Sequence, residues 1–346
     1  MSSKQYLSSM TLESLKTWLQ ENGEKPFRAK QIADWLYKKR VVDPALMKNI
    51  SSGLRDKLTE SFICNSSRVI KTQEAEDGTA KLLIELQDGE TVEAVVIPAW
   101  DGRRTFCIST QVGCPVRCRF CASGADGLIR NLTAAEIIEQ VYHACNVIDA
   151  LPNNIVIMGM GEGLLNYSNL VDSLNLMCSP DYIGLGTRRI TVSTSGIVKN
   201  IYRLADEGRQ WNLALSLHAV SDEIRYKLIP QNTTAPLADI LDAVTYYHEK
   251  TGRMLTFEYV LVKDVNDDIK SASILAKMAA KHHAKINLIP YNEVDLNNLE
   301  RPDDKTINAF KAVLDSTDVH VTMRIEKGSK ISAACGQLRR GEKSSD

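Results

Sequence analysis

The run Cys114-Pro-Val-Arg-Cys118-Arg-Phe-Cys121 places three cysteines at a C-x3-C-x2-C spacing. A tetrahedral zinc site needs four ligands, and His143 is the first histidine or cysteine after this run. Three thiolates can instead hold three irons of a [4Fe-4S] cluster, which leaves the fourth iron free to bind and polarise a substrate. The spacing therefore favours a catalytic iron-sulfur site. A zinc knuckle completed by Cys107, seven residues upstream, stays open as the alternative.

The composition is that of a globular chain. It has 346 residues, 44% hydrophobic and 25% charged, enough for one large domain and a small one. The amino-terminal stretch MSSKQYLSSMTLESL lacks the basic and apolar regions of a signal peptide, and no apolar run could span a membrane. We therefore expect a cytoplasmic protein, in which eight cysteines indicate metal binding or catalysis rather than disulfides. The net charge of -1 does not by itself indicate a nucleic-acid binder.

The chain divides into four predicted segments. Residues 1–65 carry apolar residues at helical spacing, which predicts a small helical domain with a possible role in RNA binding. Residues 66–99 contain two Asp-Gly turn signals between strand-like runs, which is typical of a β-hairpin linker. Residues 100–338 alternate strands with helices, and residues 339–346 are expected to form a disordered tail.

The alternating segments predict an α/β fold with a parallel sheet. Six strand-helix units are fewer than the eight of a closed barrel, so we expect a partial (β/α)6 barrel behind the small helical domain. The predicted strands are Phe106–Ser109, Ile155–Met158, Arg189–Ser193, Asn212–Leu217, Leu255–Val262 and Lys285–Ile289, and a further strand at His320–Ile325 follows. The predicted helices lie near 133–148, 167–178, 196–207, 236–250, 267–281 and 303–315.

Polar groups follow several of these strands at the point where each strand ends. Taken singly, each has a structural explanation as a turn glycine, a helix cap or a core histidine. Because the carboxyl ends of parallel strands share one rim, the groups together suit a cofactor with an amine, a carboxylate, a ribose and an adenine. The groups are Gly159-Met160-Gly161-Glu162, Ser193-Thr194-Ser195-Gly196, Ser216-Leu217-His218 and Pro290-Tyr291-Asn292.

A C-x3-C-x2-C loop after the first strand of a six-unit βα barrel is identified as typical of the radical S-adenosylmethionine (radical SAM) superfamily. Within it, the chain resembles the dual-specificity ribosomal and transfer RNA adenine-C2 methyltransferases over nearly its whole length. The resemblance is carried by Pro26-Phe27-Arg28-Ala29-Lys30-Gln31-Ile32, Ser109-Thr110-Gln111-Val112-Gly113-Cys114, Met158-Gly159-Met160-Gly161-Glu162, Ser193-Thr194-Ser195-Gly196, Ser216-Leu217-His218-Ala219, Ile286-Asn287-Leu288-Ile289-Pro290-Tyr291-Asn292 and Ala333-Ala334-Cys335-Gly336-Gln337-Leu338.

The resemblance implies a role for individual residues. Cys114, Cys118 and Cys121 would ligate a [4Fe-4S] cluster whose open iron takes the amine and carboxylate of S-adenosylmethionine. The positions that match the family's cofactor contacts are Gly161, Glu162, Ser193, Ser216, Leu217, His218 and Asn292. The positions that match its catalytic groups are Cys335, which becomes S-methylated, Cys107, the resolving thiol, and Glu93, a proton acceptor.

The implied chemistry explains the two additional cysteines. Carbon 2 of adenine is electron-poor, so polar methyl transfer has no nucleophile to use and a radical route is needed. In the family, one S-adenosylmethionine methylates the position of Cys335, and a 5'-deoxyadenosyl radical from a second then takes a hydrogen atom from that methyl group. The carbon radical adds to adenine to give a protein-RNA adduct. Proton loss to Glu93 and attack by Cys107 on the Cys335 sulfur would release methylated RNA and leave a disulfide.

The resemblance also implies partners: 23S rRNA and tRNA as substrates, and a flavodoxin- or ferredoxin-type electron donor for a monomeric enzyme. An adenine is accessible to such chemistry only outside a base stack. Four basic residues of the helical domain could hold the RNA backbone, although a packing role for these helices is equally open; they are Arg28, Lys30, Lys38 and Arg40.

Three other functions stay open on the sequence. The first is the sister adenine-C8 methyltransferase that confers antibiotic resistance through the same cysteines. The second is a different radical SAM oxidoreductase or a glycyl-radical activase, neither of which would need Cys107 and Cys335 together. The third is a zinc or RNA-binding module without catalysis. Two places also differ from the family pattern: Gly163 stands where proline is usual, and residues 328–332 read Gly-Ser-Lys-Ile-Ser where an acidic stretch is typical.

Overall fold

The computed structural model describes residues 4–230, 235–294, 298–324 and 327–338, with only the backbone of Ser329. The predicted disordered tail at 339–346 lies outside the described residues, as does Ile325 at the end of the last predicted strand.

The amino-terminal part is built from short helices, as predicted. Its elements are β1 (Gln5–Tyr6), α1 (Leu12–Glu21), α2 (Arg28–Ala33), a π-helical turn over Asp34–Lys38, α3 (Ser52–Ser61) and β2 (Phe62–Ile63), with β1 parallel to β2. The Thr11 side chain caps α1 by accepting a hydrogen bond from the Ser14 amide at 3.0 Å. Leu15 and Leu19 of α1 and Leu54 of α3 are fully buried, which confirms that the apolar residues at helical spacing face the core.

Residues 66–99 form three antiparallel strands, β3 (Ser67–Glu74), β4 (Ala80–Leu86) and β5 (Thr91–Pro98). Both predicted turns are present, with Gly78 and Gly89 in the left-handed region at φ 78° and 77°. Strand β5 pairs with the strand that follows it in the chain, over Arg104–Cys107. These residues are therefore part of the large sheet described below and do not only connect two parts of the chain. The domain boundaries at residues 65 and 99 stay predictions.

The rest of the described chain forms the predicted partial barrel. Its strands are β6 (Arg104–Cys107), β7 (Gln111–Gly113), β8 (Leu128–Asn131), β9 (Asn154–Ile157), β10 (Ile190–Thr194), β11 (Asn212–Ser216), β12 (Leu255–Leu261), β13 (Ala284–Pro290) and β14 (Val321–Met323). Its helices are α4 (Ala134–Ile148), α5 (Tyr167–Cys178), α6 (Val198–Asp206), α7 (Asp222–Leu228), α8 (Leu237–Thr251), α9 (Ile269–Lys281) and α10 (Asp304–Asp315).

One ten-stranded sheet organises these elements, in the order β14-β13-β12-β11-β10-β9-β6-β5-β4-β3. Strands β6 and β9 to β14 are parallel, whereas β3 to β5 are antiparallel to their neighbours. The short pair β7-β8 stands apart from this sheet. Because β14 and β3 are its edges, the sheet is open over the described residues, as a partial barrel requires. No described helix is long and apolar enough to cross a membrane.

Local sequence explains how the strands and helices alternate. Every residue of β12 is buried, as expected of a central parallel strand covered on both faces. Helix α4 begins with a capping box in which the Thr133 hydroxyl accepts from the Glu136 amide at 3.2 Å and the Glu136 carboxylate accepts from the Thr133 amide at 2.8 Å. The parallel register brings the carboxyl ends of β6 and β9 to β13 to one rim.

Candidate active site

The cysteine loop (residues 114–121) lies in the connection between the paired strands β7 and β8, and all three of its cysteines line a cavity at this rim. Two close backbone approaches shape the loop. The Cys114 amide donates to the Gly127 carbonyl at 2.9 Å, and a Cβ on Gly124 would lie 2.7 Å from the Cα of Arg117. Arg117 itself has φ 55°, a conformation that a residue with a Cβ adopts only when its surroundings impose it. The loop is therefore held in shape by the backbone around it.

Burial raises the pKa of each of these thiols, to about 12 for Cys114. Iron is bound by thiolates, so cluster binding must displace protons from Cys114, Cys118 and Cys121. Over the described residues, no group of three or more His, Cys, Asp or Glu side chains could hold a single metal ion. A zinc knuckle needs four ligands about 2.0 to 2.3 Å from one ion, and the structure shows no such group among the residues it describes.

Six of the seven predicted cofactor residues line the same cavity as the cysteines: Gly161, Glu162, Ser193, Ser216, His218 and Asn292. The seventh, Leu217, is fully buried behind the wall, where its amide donates to the Glu258 carbonyl at 3.1 Å. Gly161 has φ 105°, and a Cβ there would lie 2.6 Å from the Gln111 side chain. Only glycine fits this position, so the backbone borders the cavity directly.

Glu162 and His218 are buried, and hydrogen bonds to backbone amides hold both side chains. The Glu162 carboxylate accepts from the Ser195 amide at 2.6 Å, the Ser195 hydroxyl at 2.8 Å and the Leu164 amide at 3.1 Å. Burial raises the pKa of Glu162, while these hydrogen bonds act in the opposite direction. Burial lowers the pKa of His218 to about 3, and its Nδ1 accepts from the Val260 amide at 3.0 Å. His218 is therefore a neutral ring with its proton on Nε2.

Cys335 reaches the same cavity from the other end of the chain. Its carbonyl accepts from Asn292 Nδ2 at 3.0 Å, and its Sγ lies 3.2 Å from Nη1 of Arg324. A hydrogen bond connects the Cys335 loop (residues 327–338) to the residue that follows the cysteine loop: the Gly336 carbonyl accepts from the Ala122 amide at 2.7 Å. The thiol thus lies beside the predicted cluster ligands and the predicted cofactor residues.

Cys107 and Glu93 lie next to this cavity rather than in its lining. Cys107 is 6% exposed at the carboxyl end of β6, and burial, with a smaller contribution from nearby Cys335, raises its pKa to about 12. Arg324 is close enough to both thiols to interact with their charged forms. Glu93 lies on the neighbouring strand β5, where its carboxylate forms an ion pair with Lys81. The structure therefore brings the three predicted catalytic residues to one region.

Three basic residues of this region were missed by the sequence analysis: Lys81, Arg324 and Arg225. Arg324 follows β14 directly, so the same strand-end rule that selected the other groups could have found it. Arg225 is 4% exposed and donates through Nη2 to the carbonyls of Ser195 and Ser216. Within the part of the chain that the structure describes, its buried Nε and Nη1 have no hydrogen-bond partner. Lys81 had no local signal beyond a charge within a buried strand.

The chain's own groups fit both cofactors. Three thiols in one loop are the donor set of a site-differentiated [4Fe-4S] cluster. The same cavity is lined by a glycine wall, formed by the backbone of Gly159 and Gly161, by the hydroxyls of Ser193 and Ser216 and by the amide of Asn292, groups that can hydrogen-bond a ligand with an amine, a carboxylate and a ribose. A cluster loop of this kind on a partial parallel barrel defines a radical SAM enzyme, whose cofactors are a [4Fe-4S] cluster and S-adenosylmethionine.

Comparison with known proteins identifies the family. The profile of the radical SAM superfamily matches residues 108–272, and that of the ribosomal RNA large subunit methyltransferase N-terminal domain matches residues 6–64. The probable dual-specificity RNA methyltransferase RlmN of Caldicellulosiruptor saccharolyticus is 44% identical over 97% of both chains. That of Clostridium novyi is 45% identical over 96% of this chain and 97% of its own. The crystal structure of a radical SAM methyltransferase from Sphaerobacter thermophilus has a TM-score of 0.93 and 39% identity, and the match covers 97% of this chain and 99% of that one. The chain belongs to the RlmN family of dual-specificity RNA methyltransferases.

Proposed function

We propose that this enzyme methylates carbon 2 of an adenosine in 23S rRNA and in tRNA through an S-methylated Cys335. Membership of the RlmN family supports an RNA substrate, because the curated relatives are named dual-specificity RNA methyltransferases. The observation that carries the proposal is the meeting of Cys335 and Cys107 beside the cluster ligands, with Arg324 close to both thiols. A radical SAM enzyme without a protein-bound methyl intermediate would not need this pair.

When bound, the cluster and S-adenosylmethionine would supply the hydrogen-atom abstraction that activates the methyl group, and the side chains provide the other functions. Cys114, Cys118 and Cys121 hold the cluster, while the glycine wall and the hydroxyls at the strand ends orient the cofactor. Cys335 carries the methyl group to the adenine ring and is joined to it in a covalent adduct. We assign proton removal from carbon 2 to Glu93.

Cys107 resolves the adduct by attacking the sulfur of Cys335, so that a disulfide forms and the carbon-sulfur bond to the product breaks. Burial raises the pKa of Cys107 to about 12, so this thiol must lose its proton as it attacks. We further propose that a flavodoxin- or ferredoxin-type protein supplies the electron, and that the enzyme acts as a cytoplasmic monomer.

The test compares Cys335→Ala with Cys178→Ala, a free cysteine at the end of α5 outside the cavity. We expect Cys335→Ala to form no methylated adenosine while it keeps its iron and its S-adenosylmethionine binding, and Cys178→Ala to behave as the wild type. Mass spectrometry of adenosine from ribosomal and transfer RNA gives the product, and iron analysis gives the cluster. Methylation by Cys335→Ala would overturn the mechanism, and 8-methyladenosine as the wild-type product would overturn the assignment to carbon 2.

A further inference from the structure

A buried ion pair lies beside the two reactive cysteines. Nζ of Lys81 is 2.8 Å from Oε1 of Glu93, and the two side chains are only 8% and 9% exposed. The same ammonium group donates to the carbonyl of Ser332 at 3.2 Å. Ser332 belongs to the Cys335 loop, three residues before the reactive thiol. One lysine therefore connects the carboxylate on the sheet to the loop that carries Cys335.

The strand register places these groups on one face of the sheet. Lys81 pairs with Val95, and Val95 pairs with Cys107, so the three side chains point to the same side. Glu93 precedes Val95 by two residues and shares that side, because side chains alternate along a strand. The lysine, the carboxylate and the predicted resolving thiol therefore lie on one face of the sheet, on β4, β5 and β6.

The pair sets the charge of the carboxyl group. A carboxylate that is buried without a partner takes up a proton, since burial disfavours its charged form. A protonated Glu93 is too weakly basic to accept a further proton at neutral pH and could not act as a base. The nearby ammonium of Lys81 favours the ionised form, and its second bond to Ser332 fixes where that ammonium lies.

We propose that Lys81 is a positioning residue for methyl transfer, which keeps Glu93 ionised and holds the Cys335 loop beside it. This inference rests on the proposed function, because the role of Glu93 as proton acceptor is part of that function. In the step concerned, once the adduct radical has given up its unpaired electron to the cluster that the radical SAM reaction requires, the carbon-hydrogen bond at carbon 2 breaks, the proton passes to a carboxylate oxygen of Glu93, and the electron pair of that bond stays in the ring. Lys81 acts only through Glu93 and the loop.

The experiment measures a kinetic isotope effect at the hydrogen that is removed. The anaerobically reconstituted enzyme, with Cys335 already methylated, is given 23S rRNA transcribed with adenosine triphosphate that carries either hydrogen or deuterium at carbon 2. Lys81→Met removes the charge and keeps the chain length, Lys81→Arg keeps the charge, and Glu93→Gln removes the base. Lys71→Met, on exposed strand β3, is the matched control.

We expect Lys81→Met to form product about 100-fold more slowly, at the lower end of the range that general-base catalysis contributes. Its isotope effect should rise above that of the wild type, as should that of Glu93→Gln, because proton removal becomes the slow step. Lys81→Arg should recover most of the rate, and Lys71→Met should match the wild type. The double variant Lys81→Met/Glu93→Gln leaves no unpaired buried charge, and it should lie within about threefold of Glu93→Gln.

Several results would overturn the proposal. An unchanged isotope effect in Lys81→Met, beside a raised one in Glu93→Gln, would leave Glu93 as the base and remove Lys81 from the step. An unchanged isotope effect in Glu93→Gln would reject the assigned base and, with it, the role of Lys81. If Lys81→Met does not fold, the double variant decides: a rate far below that of Glu93→Gln would show that Lys81 does not act through this carboxylate.

Discussion

Gly113→Ala tests whether the backbone around the cysteine loop is what positions the cluster ligands. Gly113 has φ 74°, and a Cβ at this position would lie 2.0 Å from the carbonyl oxygen of Gly127. That same oxygen accepts the hydrogen bond from the Cys114 amide at 2.9 Å. The added methyl group must therefore push away the acceptor that holds the first cluster ligand.

The expected cost follows from two contributions. Left-handed backbone geometry costs an alanine about 1 to 2 kcal/mol relative to glycine. The Gly127 carbonyl would have to move by about 1 Å to relieve the overlap, and the loss of a buried hydrogen bond costs about 1 to 3 kcal/mol more. We therefore expect Gly113→Ala to lower the free energy of unfolding by about 2 to 5 kcal/mol.

Gly208→Ala is the matched control, because Gly208 has φ 65° and a Cβ there would meet nothing within 4 Å. It should lose only the backbone contribution, about 1 to 2 kcal/mol. Urea titration of both proteins gives the free energies, and iron analysis after anaerobic reconstitution gives cluster loading. We expect Gly113→Ala to hold less than about half the iron of the wild type, since metal binding depends on the fold of the ligand loop. Full iron content together with a stability equal to that of Gly208→Ala would refute the reasoning.

Two further predictions concern pH and RNA. Burial lowers the pKa of His143 to about 4 from an unfolded value of about 6.5, so the unfolded chain binds more protons between these values and stability falls as the pH drops through that window. His143→Gln should reduce this fall by about 1 kcal/mol per pH unit in urea titrations between pH 4.5 and 6, and an unchanged slope would contradict a neutral buried histidine. Lys30 is exposed and has no ion pair within the described residues, so Lys30→Glu should weaken binding of a 23S rRNA transcript in filter-binding assays and lower its salt dependence by about one phosphate contact. Lys277→Glu, at an exposed residue of α9, is the control. Equal affinity of the two variants for RNA would argue against an RNA-binding role for Lys30.

The groups that sequence reasoning found are those with a local pattern. The three predicted cluster cysteines share one loop, Ser193 lies at the carboxyl end of its strand, and Glu162 and His218 follow strands whose apolar runs are easily recognised. Parallel strands bring such ends together whatever the detailed packing is, which explains why these residues line one cavity. The apolar spacing also predicted the bounds of the strands to within a few residues, because buried strands are continuous apolar runs.

The groups that it missed depend on contacts between distant segments. The importance of Lys81 becomes visible only when β4 pairs with β5 and when Ser332 of the Cys335 loop contacts the lysine. No local spacing in the sequence specifies either contact. Arg225 sits in the short helix α7 as one of several charges, and its importance comes from burial. The roles of Glu93, Cys107 and Cys335 likewise came from family resemblance, since neither strand spacing nor loop composition distinguishes them from packing residues.

The distribution of charge around the cavity explains why the site suits anionic cofactors. Lys81 is paired with Glu93, and Arg324 lies between Glu258 and the two reactive thiols, so these buried charges have partners. Arg225 differs, because two of its buried donors have none among the described residues. Burial lowers its pKa only to about 10, so it stays charged at neutral pH. An unpaired buried donor costs about 1 to 3 kcal/mol, a cost that a nearby anion removes. Both the thiolate-bound cluster and the carboxylate of S-adenosylmethionine are such anions. The groups of the chain whose negative charge raises the pKa of Arg225 are Cys118, Asp222 and Glu162. An anion bound close to Cys118 would therefore satisfy donors of Arg225 that have no partner among the described residues.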